Sequence, residues 1–338
     1  MSIASLLTDV VGILRHRTPL QSAGFPDVAE APPDTRRLIR NRRYCHVLSK
    51  RNDIPLDTAS IRCAWKALRH EMALVPGGEV QRARDVIIST TVGPELTSVR
   101  DNAVNVDSFY IDRNCVTNAD YLRFVQDNGY GNADYWPESI LPNVLQFVDK
   151  TGQPGPKFWS NGNSPVDKEN HPVVGICWYE ANAYATWAGK RLPSSDEWQR
   201  AGTWPHAHTG DGNQRRYPWG NSFDPSKANL WVSGLGSTVA VNAFEAGWTP
   251  NGVRQLIGNV WEWGDTQFSP EGSDGTAILD TQTMAEIRGG AFDTYFPTQA
   301  SCQFRTGQPL LYRGSSVGFR CSVGMEELSE ITDTSTEF

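Results

Sequence analysis

The sequence predicts an α+β fold with little regular secondary structure, preceded by a small helical extension. Helix starts are marked by capping signals, and the strand-like segments between them are only a few residues long. The connecting segments are rich in Gly, Pro, Asn and Trp. This composition suits long ordered loops held by buried aromatic side chains rather than a regular sheet.

Length and composition are those of a globular protein with one large domain and an appendage. The chain has 338 residues, of which 39% are hydrophobic and 20% are charged. The formal net charge of −7 argues against a nucleic-acid-binding protein, which would need a basic face. The local basic run from Arg36 to Arg43 is interpreted as a solvated helix face.

The start of the chain lacks the features of a targeting segment. The apolar stretch from Ile3 to Leu14 includes Thr8 and Asp9 and has no positive residue before it. It is also shorter than the about 20 apolar residues that a membrane span needs. We expect an amphipathic helix here, with no signal peptide and no membrane span. The default expectation is a cytoplasmic protein, with surface display by another route left open.

The cysteines give no metal-binding or disulfide framework. None of the six forms a CxxC spacing, and six are few for a chain of this length. Buried free thiols are the expectation for most of them. The six are Cys45, Cys63, Cys115, Cys177, Cys302 and Cys321.

Three regions are predicted along the chain. The extension holds only one of the twelve tryptophans, Trp65, and we expect it to pack on the main domain or to be linked to it. A helix is expected from Asp57 to Glu71, with Thr58 or Ser60 as its N-terminal cap. The tail is acidic and expected to fray. The regions are a helical extension at 1–71, a main domain at 72–325 and the tail at 326–338.

Local signals predict the elements of the main domain in order. A strand from Met72 ends in the turn Pro76–Gly78, where proline fixes one φ angle and the glycines free the next two. A second strand is expected at Phe109–Asp112. Thr117 with Asp120 three residues later predicts the capped start of the following helix.

Two further helices follow in the middle of the chain. The first is expected from Trp178 to Ala188, with Tyr184 and Trp187 sharing one buried face. Ser194 and Glu197 have the spacing of a capping box and predict the start of the second helix.

Eight phrases stand in order along the main domain: Pro76–Gly78, Phe109–Asp112 with Val116–Asn118, His171–Gly175, Gly189–Pro193, Tyr217–Asn221, Gly258–Trp263, Arg288–Gly290 and Gly318–Arg320. Together they resemble the formylglycine-generating enzyme, or sulfatase-modifying factor, family. Each phrase alone is weak, but their order over roughly three quarters of the chain makes the resemblance specific. It implies a C-type-lectin-like fold for the main domain.

The resemblance does not extend to the catalytic cysteines of that family. Formylglycine-generating enzymes carry two cysteines after Arg-Gly-Gly, which hold copper and activate oxygen. The same positions here are Thr294 and Gln299, and a hydroxyl and an amide cannot replace thiolates. Cys302 lies three residues too late. We therefore expect no catalytic residue and no copper.

Iron is not expected either. Related iron-dependent sulfoxide synthases share the fold and use a His-x-x-x-His-x-Glu motif, and none of the six histidines has that spacing. His206 and His208 are interpreted as surface-loop residues, because two histidines without a third ligand rarely hold a metal.

The C-terminal segment resembles another branch more closely, the variable proteins of diversity-generating retroelements. These proteins use the fold as a display scaffold. Arg288–Phe292, Arg305, Pro309, Arg313 and Gly318–Arg320 stand where that branch has its fixed residues. The resemblance implies that the arginines brace loops through hydrogen bonds to backbone carbonyls, while the residues between them change.

The changeable positions form the predicted binding face. Several are aromatic or aliphatic, and Pro309 and Gly314 predict a surface turn around the second group. The alternative is that Leu310 to Tyr312 are core residues. The predicted binding residues are Asp293, Thr294, Tyr295, Phe296, Gln308, Leu310, Leu311, Tyr312, Ser315 and Ser316.

The resemblance also implies structural calcium. In the family, loop oxygens bind Ca²⁺, and the matching residues here are Asn229, Asn242, Asn259 and Glu262. The family usually has Asp at the position of Asn242, so the first site is expected to be weaker.

These observations favour a ligand- or protein-binding display scaffold, whose partner is an unknown protein or surface ligand on the C-terminal loops. Two alternatives stay open. One is an oxidative or protein-modifying enzyme with a non-standard site, and the other is an inactive paralogue acting as a regulatory subunit. Metal content distinguishes them, because stoichiometric copper or iron would favour an enzyme.

Overall fold

The computed structural model describes residues 25–51, 57–90, 93–204, 214–269 and 283–329. The helix expected from Ile3 to Leu14, the pair His206 and His208, and the tail from 330 onward lie outside these ranges. Among the described residues, no helix is both long and apolar enough to cross a membrane.

The described part of the chain mixes short helices with short strands, as the α+β prediction requires. The helices are α1 (Pro33–Arg40), α2 (Tyr44–Leu48), α3 (Thr58–Glu71), α4 (Asn118–Gln126), α5 (Leu141–Val144), α6 (Trp178–Trp187) and α7 (Ser195–Thr203). The strands are β1 (Met72–Val75), β2 (Gly78–Thr90), β3 (Gly93–Val106), β4 (Phe109–Asp112), β5 (Trp261–Phe268), β6 (Met284–Arg288), β7 (Arg305–Pro309), β8 (Val317–Gly318) and β9 (Ser322–Gly324).

The strands form three small sheets. One is antiparallel with the order β1-β4-β9, and another is the long hairpin of β2 and β3. The third has the order β7-β6-β5-β8, in which only the pair of β5 and β8 is parallel. The third sheet positions the C-terminal segment, because β6, β7 and β8 all belong to it.

Capping chemistry places several helices as expected. Thr117 and Asp120 form a capping box at the start of α4, and Ser194 and Glu197 form another at the start of α7. The cap of α3 differs from the prediction. Asp57 is the N-cap, and its carboxylate accepts the backbone N–H of Ser60 at 2.8 Å, as an acidic residue at this position commonly does.

Aromatic side chains fill the centre of the main domain. Tyr121 of α4 stacks on Tyr184 of α6 with ring centroids 5.5 Å apart, and Phe319 meets both rings edge-on. Trp187 is fully buried in the same cluster, as predicted for that face of α6. Such packing explains how long loops stay ordered without an extended sheet.

The N-terminal helices pack on the β1-β4-β9 sheet. Their core includes Tyr110 of β4 and Val323 of β9. Ion pairs join the extension to α4 as well: Arg42 Nε lies 2.7 Å from Asp120, and Arg43 Nη1 lies 2.9 Å from Asp127 at the end of that helix. The extension is therefore part of the folded unit.

The residues just before the C-terminal tail also pack against these helices. Leu328 is buried, and the backbone N–H of Ser329 donates to the carbonyl of Leu48 at 2.6 Å. The chain is thus packed against the fold as far as residue 329, four residues beyond the boundary expected at 325.

Candidate binding face

The first loop of the predicted face leaves the sheet at a glycine pair. Gly289 and Gly290 follow β6 with φ angles of 96° and 80°, in the left-handed region that favours glycine. A Cβ atom at Gly289 would also clash with the carbonyl oxygen of Leu256. Only glycine fits here, which explains the Arg-Gly-Gly phrase.

Residues 291–294 form a turn, and residues 293–296 alternate between buried and exposed environments. Thr294 is buried, and its Oγ1 accepts the backbone N–H of Ala291 at 2.8 Å. Asp293 is exposed, and Tyr295 and Phe296 are 65% and 59% exposed. The prediction that Thr294 is displayed is therefore wrong, because its hydroxyl closes the turn that presents its neighbours.

The second loop follows β7 and turns at Pro309. The backbone N–H of Tyr312 donates to the carbonyl of Pro309 at 2.8 Å. Leu311 and Tyr312 are 49% and 40% exposed, whereas Leu310 is only partly exposed and packs against the main core. The core interpretation of this run thus applies to Leu310, and the binding-face interpretation applies to Leu311 and Tyr312.

The remaining predicted positions also divide. Ser315 is exposed and Gln308 is partly buried in β7, where it pairs with Ala285. Ser316 is buried, and its carbonyl accepts the backbone N–H of Trp261 at 2.8 Å. Ser316 therefore fastens the loop to the sheet and does not belong to the exposed face.

Arg313 anchors the second loop from below. Its guanidinium donates to the carbonyls of Gly175, Val148 and Gly155 at 3.1, 3.1 and 2.7 Å. It also pairs with Glu180, with Nε 2.8 Å from a carboxylate oxygen. One side chain therefore ties the loop to three backbone segments, as the resemblance implies for this position.

Glu180, the partner of Arg313, is fully buried in α6. Burial raises the pKa of this carboxyl, while Arg313 and the Tyr130 hydroxyl act in the opposite direction. The Tyr130 hydroxyl donates to the carboxylate at 2.6 Å, and the backbone N–H of Cys177 donates at 2.9 Å. Several donors therefore hold Glu180 in one position beneath the loop.

Arg320 is the second anchor and lies at the end of the C-terminal segment. Its guanidinium meets Glu262 through two contacts of 2.7 Å, and both side chains are fully buried. Burial by itself would lower the pKa of Arg320, but the charge of Glu262 raises it. Arg320 also donates to the carbonyls of Asp112 and Arg254.

Arg305 behaves differently from the other two arginines. It is partly exposed, and its Nη1 lies 4.0 Å from the Glu286 carboxylate. Within the part of the chain that the structure describes, bracing through backbone carbonyls, expected for all three arginines, is found at Arg313 and Arg320 but not at Arg305.

The residues predicted to bind calcium have other partners. The Asn259 amide oxygen accepts from Asn229 at 3.2 Å and from the Val239 backbone at 2.9 Å. The Glu262 oxygens accept from Arg320, and Asn242 is exposed. The oxygens of Asn259 and Glu262 thus accept hydrogen bonds from protein donors, with which a bound calcium ion would compete. Calcium binding by Asn229, Asn242, Asn259 and Glu262 stays a prediction.

The cysteines are buried free thiols, as expected. Burial and the nearby Glu262 raise the pKa of Cys115 well above its ordinary value, and burial raises that of Cys45 to about 12. Such thiols are not activated nucleophiles. Within the described residues, no group of three His, Cys, Asp or Glu side chains is arranged to hold a metal.

One part of the exposed surface was not predicted from the sequence. Trp231, Val232 and Leu235 are all at least half exposed, on a loop that lies against the first binding loop. The backbone N–H of Trp231 donates to the carbonyl of Thr294 at 3.3 Å. The apolar run beside Gly234 was the available signal, but exposure is a property of the folded chain.

Comparison with known proteins agrees with the geometry of the scaffold. The model of the sulfatase-modifying factor enzyme 1-like domain matches residues 61–324. The formylglycine-generating enzyme of Thermomonospora curvata is 30% identical over 300 residues, covering 74% of this chain and 92% of that protein. The hercynine oxygenase of Mycobacterium tuberculosis is 35% identical over 179 residues, covering 50% of this chain and 40% of that protein. The chain spans less than half the length of the hercynine oxygenases that it matches.

Solved structures match this chain at low sequence identity. CarF is 19% identical and aligns with a TM-score of 0.50 over 75% of this chain and 98% of its own. Variable protein 1 of Treponema denticola is 15% identical, with a TM-score of 0.48 over 75% of this chain and 94% of its own. At such identities a likeness concerns the fold alone.

Proposed function

Because this chain belongs to the sulfatase-modifying factor enzyme 1-like domain family, we propose that it uses that scaffold to display a binding face, as a retroelement variable protein does. The face consists of exposed positions on the two C-terminal loops, and its partner is a protein or surface ligand. The members are Asp293, Tyr295, Phe296, Leu311, Tyr312 and Ser315.

One observation carries the proposal: anchoring residues and exposed residues alternate along the same short segment. Thr294 and Arg313 face inward and hold the two loops, while Tyr295 and Tyr312 beside them face solvent. A loop fixed in this way loses little conformational freedom on binding. Exposed aromatic side chains on such loops are the residue types that contribute most to binding energy.

The side chains at the family's cysteine positions support a binding role over the family's oxidative chemistry. The Thr294 hydroxyl is used within its own turn, and Gln299 follows in the next short turn. Neither offers a thiolate for Cu(I). Copper or iron bound stoichiometrically to the purified protein would instead favour the enzyme alternative.

Two libraries on the displayed protein test the proposal. The first randomises the six exposed positions, and the second randomises the inward-facing Thr294, Leu310 and Ser316. We expect most members of the first library to resist protease and some to bind an arbitrary target protein, while most members of the second are degraded. Equal degradation of both libraries would overturn the display role.

The DNA beside the gene provides an independent test. A variable protein requires a neighbouring reverse transcriptase and a near-copy of the segment that encodes Arg288 to Arg320. The two copies should differ only at adenines. Absence of both features from the complete genome would remove the retroelement part of the proposal and leave only a binding protein.

A further inference from the structure

We infer that the Trp231 loop (residues 229–237), which lies outside the C-terminal segment, forms a second wall of the binding face. The enlarged face binds a short apolar segment of a partner protein, and this segment carries a basic residue. The inference rests on the proposed function and names the partner class for the same face. It adds Trp231, Val232 and Leu235 to the surface.

The two walls meet through aromatic contacts. The ring centroids of Trp231 and Tyr295 are 6.1 Å apart, and those of Tyr295 and Phe296 are 5.2 Å apart. The three rings are each more than half exposed, Trp231 at 58%. They therefore form one aromatic strip that crosses from the Trp231 loop to the first C-terminal loop.

The Trp231 loop is held in place by its own side chains. Ser233 Oγ lies 2.9 Å from the amide oxygen of Asn229, and the Asn229 amide nitrogen donates to the carbonyl of Ser237 at 2.9 Å. Gly234 has a φ of 69° and donates its N–H to the carbonyl of Trp231. Asn229 thus links the two ends of the loop through hydrogen bonds. The exposed apolar side chains are therefore carried by a backbone with a fixed conformation.

The size of the strip favours a short segment over a second copy of the chain. Aromatic side chains of about 150–250 Å² each, more than half exposed, present roughly 300 Å² together. That area lies at the lower end of the range for the largest apolar patch on a typical monomer, about 300–600 Å². A stable dimer needs about 800 Å² from each partner, so the strip is too small for one. A peptide-like segment needs less area.

Charge selects among such segments. Residues 229–237 and 291–299 contain a single charged side chain, Asp293, and no basic residue. Asp293 is exposed beside Tyr295. A partner segment with a lysine or arginine next to its apolar residues pairs with this carboxylate, whereas an acidic segment is repelled.

Fluorescence polarisation with three labelled synthetic peptides tests the inference. One has an apolar core flanked by lysines, the second has the same core flanked by glutamates, and the third has a serine core flanked by lysines. We expect the first to bind the full-length protein at least about tenfold more tightly than either of the others. Equal affinity for the first two, or no binding of the first, would overturn the partner class.

Single-residue variants then test whether the Trp231 loop contributes to peptide binding. Trp231→Ala should weaken binding of the first peptide at least about tenfold and leave the melting temperature unchanged. The control Val166→Ser, which alters an exposed apolar residue on another loop, should change neither quantity.

If Tyr295→Ser and Leu311→Ser weaken binding and Trp231→Ala does not, the proposed function stands and the second wall fails. If only Trp231→Ala acts, the C-terminal face itself fails. A dimer in sedimentation that Trp231→Ala dissociates would replace the peptide partner with a second copy.

Discussion

Arg320 and Glu262 form a two-contact ion pair inside the core, with nitrogen–oxygen distances of 2.7 Å for both contacts. Glu262 also accepts the indole N–H of Trp198 at 2.8 Å. The pair joins the end of the C-terminal segment to β5, so the geometry of the exposed loops depends on a contact that is buried in the core.

Replacing Glu262 with Gln should lower the free energy of unfolding by about 3–5 kcal/mol, because it leaves the buried Arg320 charge without its partner. Urea denaturation measures the loss. The control is Arg82→Gln, which breaks an exposed pair with Asp196 and should cost no more than about 1 kcal/mol. Similar losses for the two variants would contradict the anchoring role of Glu262.

Leu311→Ser and Tyr312→Ser should each change stability by no more than about 0.5 kcal/mol, because these residues are 49% and 40% exposed and belong to no buried cluster. Leu310→Ser should cost about 1–3 kcal/mol, because that side chain packs against the main core. Thermal melts of the three variants provide the comparison. A large loss for Tyr312→Ser would mean that the loop is part of the core.

Stability should fall as the pH drops from 7 towards 5, in part through His46. Burial lowers the pKa of His46, the hydrogen bond to the Trp187 carbonyl acts against this, and Arg43 lowers it further. A folded-state pKa below the unfolded one means that the stabilisation is present above about pH 6.5 and is lost as the unfolded chain takes up the proton. Urea midpoints for wild type and His46→Gln should converge at low pH. An unchanged pH slope in the variant would exclude His46.

No thiol should react with a disulfide reagent in the native protein, and all six should react in denaturant. The cause is burial of every cysteine, with the pKa of Cys45 raised to about 12. Counting the released chromophore before and after adding guanidinium checks this. A fast-reacting native thiol would reveal an activated cysteine and would reopen the enzyme alternative.

Features set by a few neighbouring residues were predictable from sequence. The capping boxes at Thr117 and Ser194 depend on one side chain three residues away, so spacing alone identifies them. Family phrases such as Gly318–Arg320 added the fold, because their order along the chain resembles one family of known fold.

Features that no characteristic residue type marks were missed. The hairpin of β2 and β3 runs from Gly78 to Val106, and its pairing is not marked by a tight-turn signal of the usual kind. Within the candidate site, Thr294 and Tyr295 are neighbours with opposite environments. Their difference arises from a turn that closes on Ala291, which side-chain type does not reveal.

The alternation of held and exposed residues has a consequence for how such a gene can change. Under the proposed function, substitutions at Tyr295 or Tyr312 would alter what the protein binds, while anchoring residues such as Arg313 are encoded by separate codons. Most altered copies would therefore survive quality control and reach the stage at which a new contact is useful. Sequence change confined to the exposed positions would therefore yield few unfolded copies of the protein.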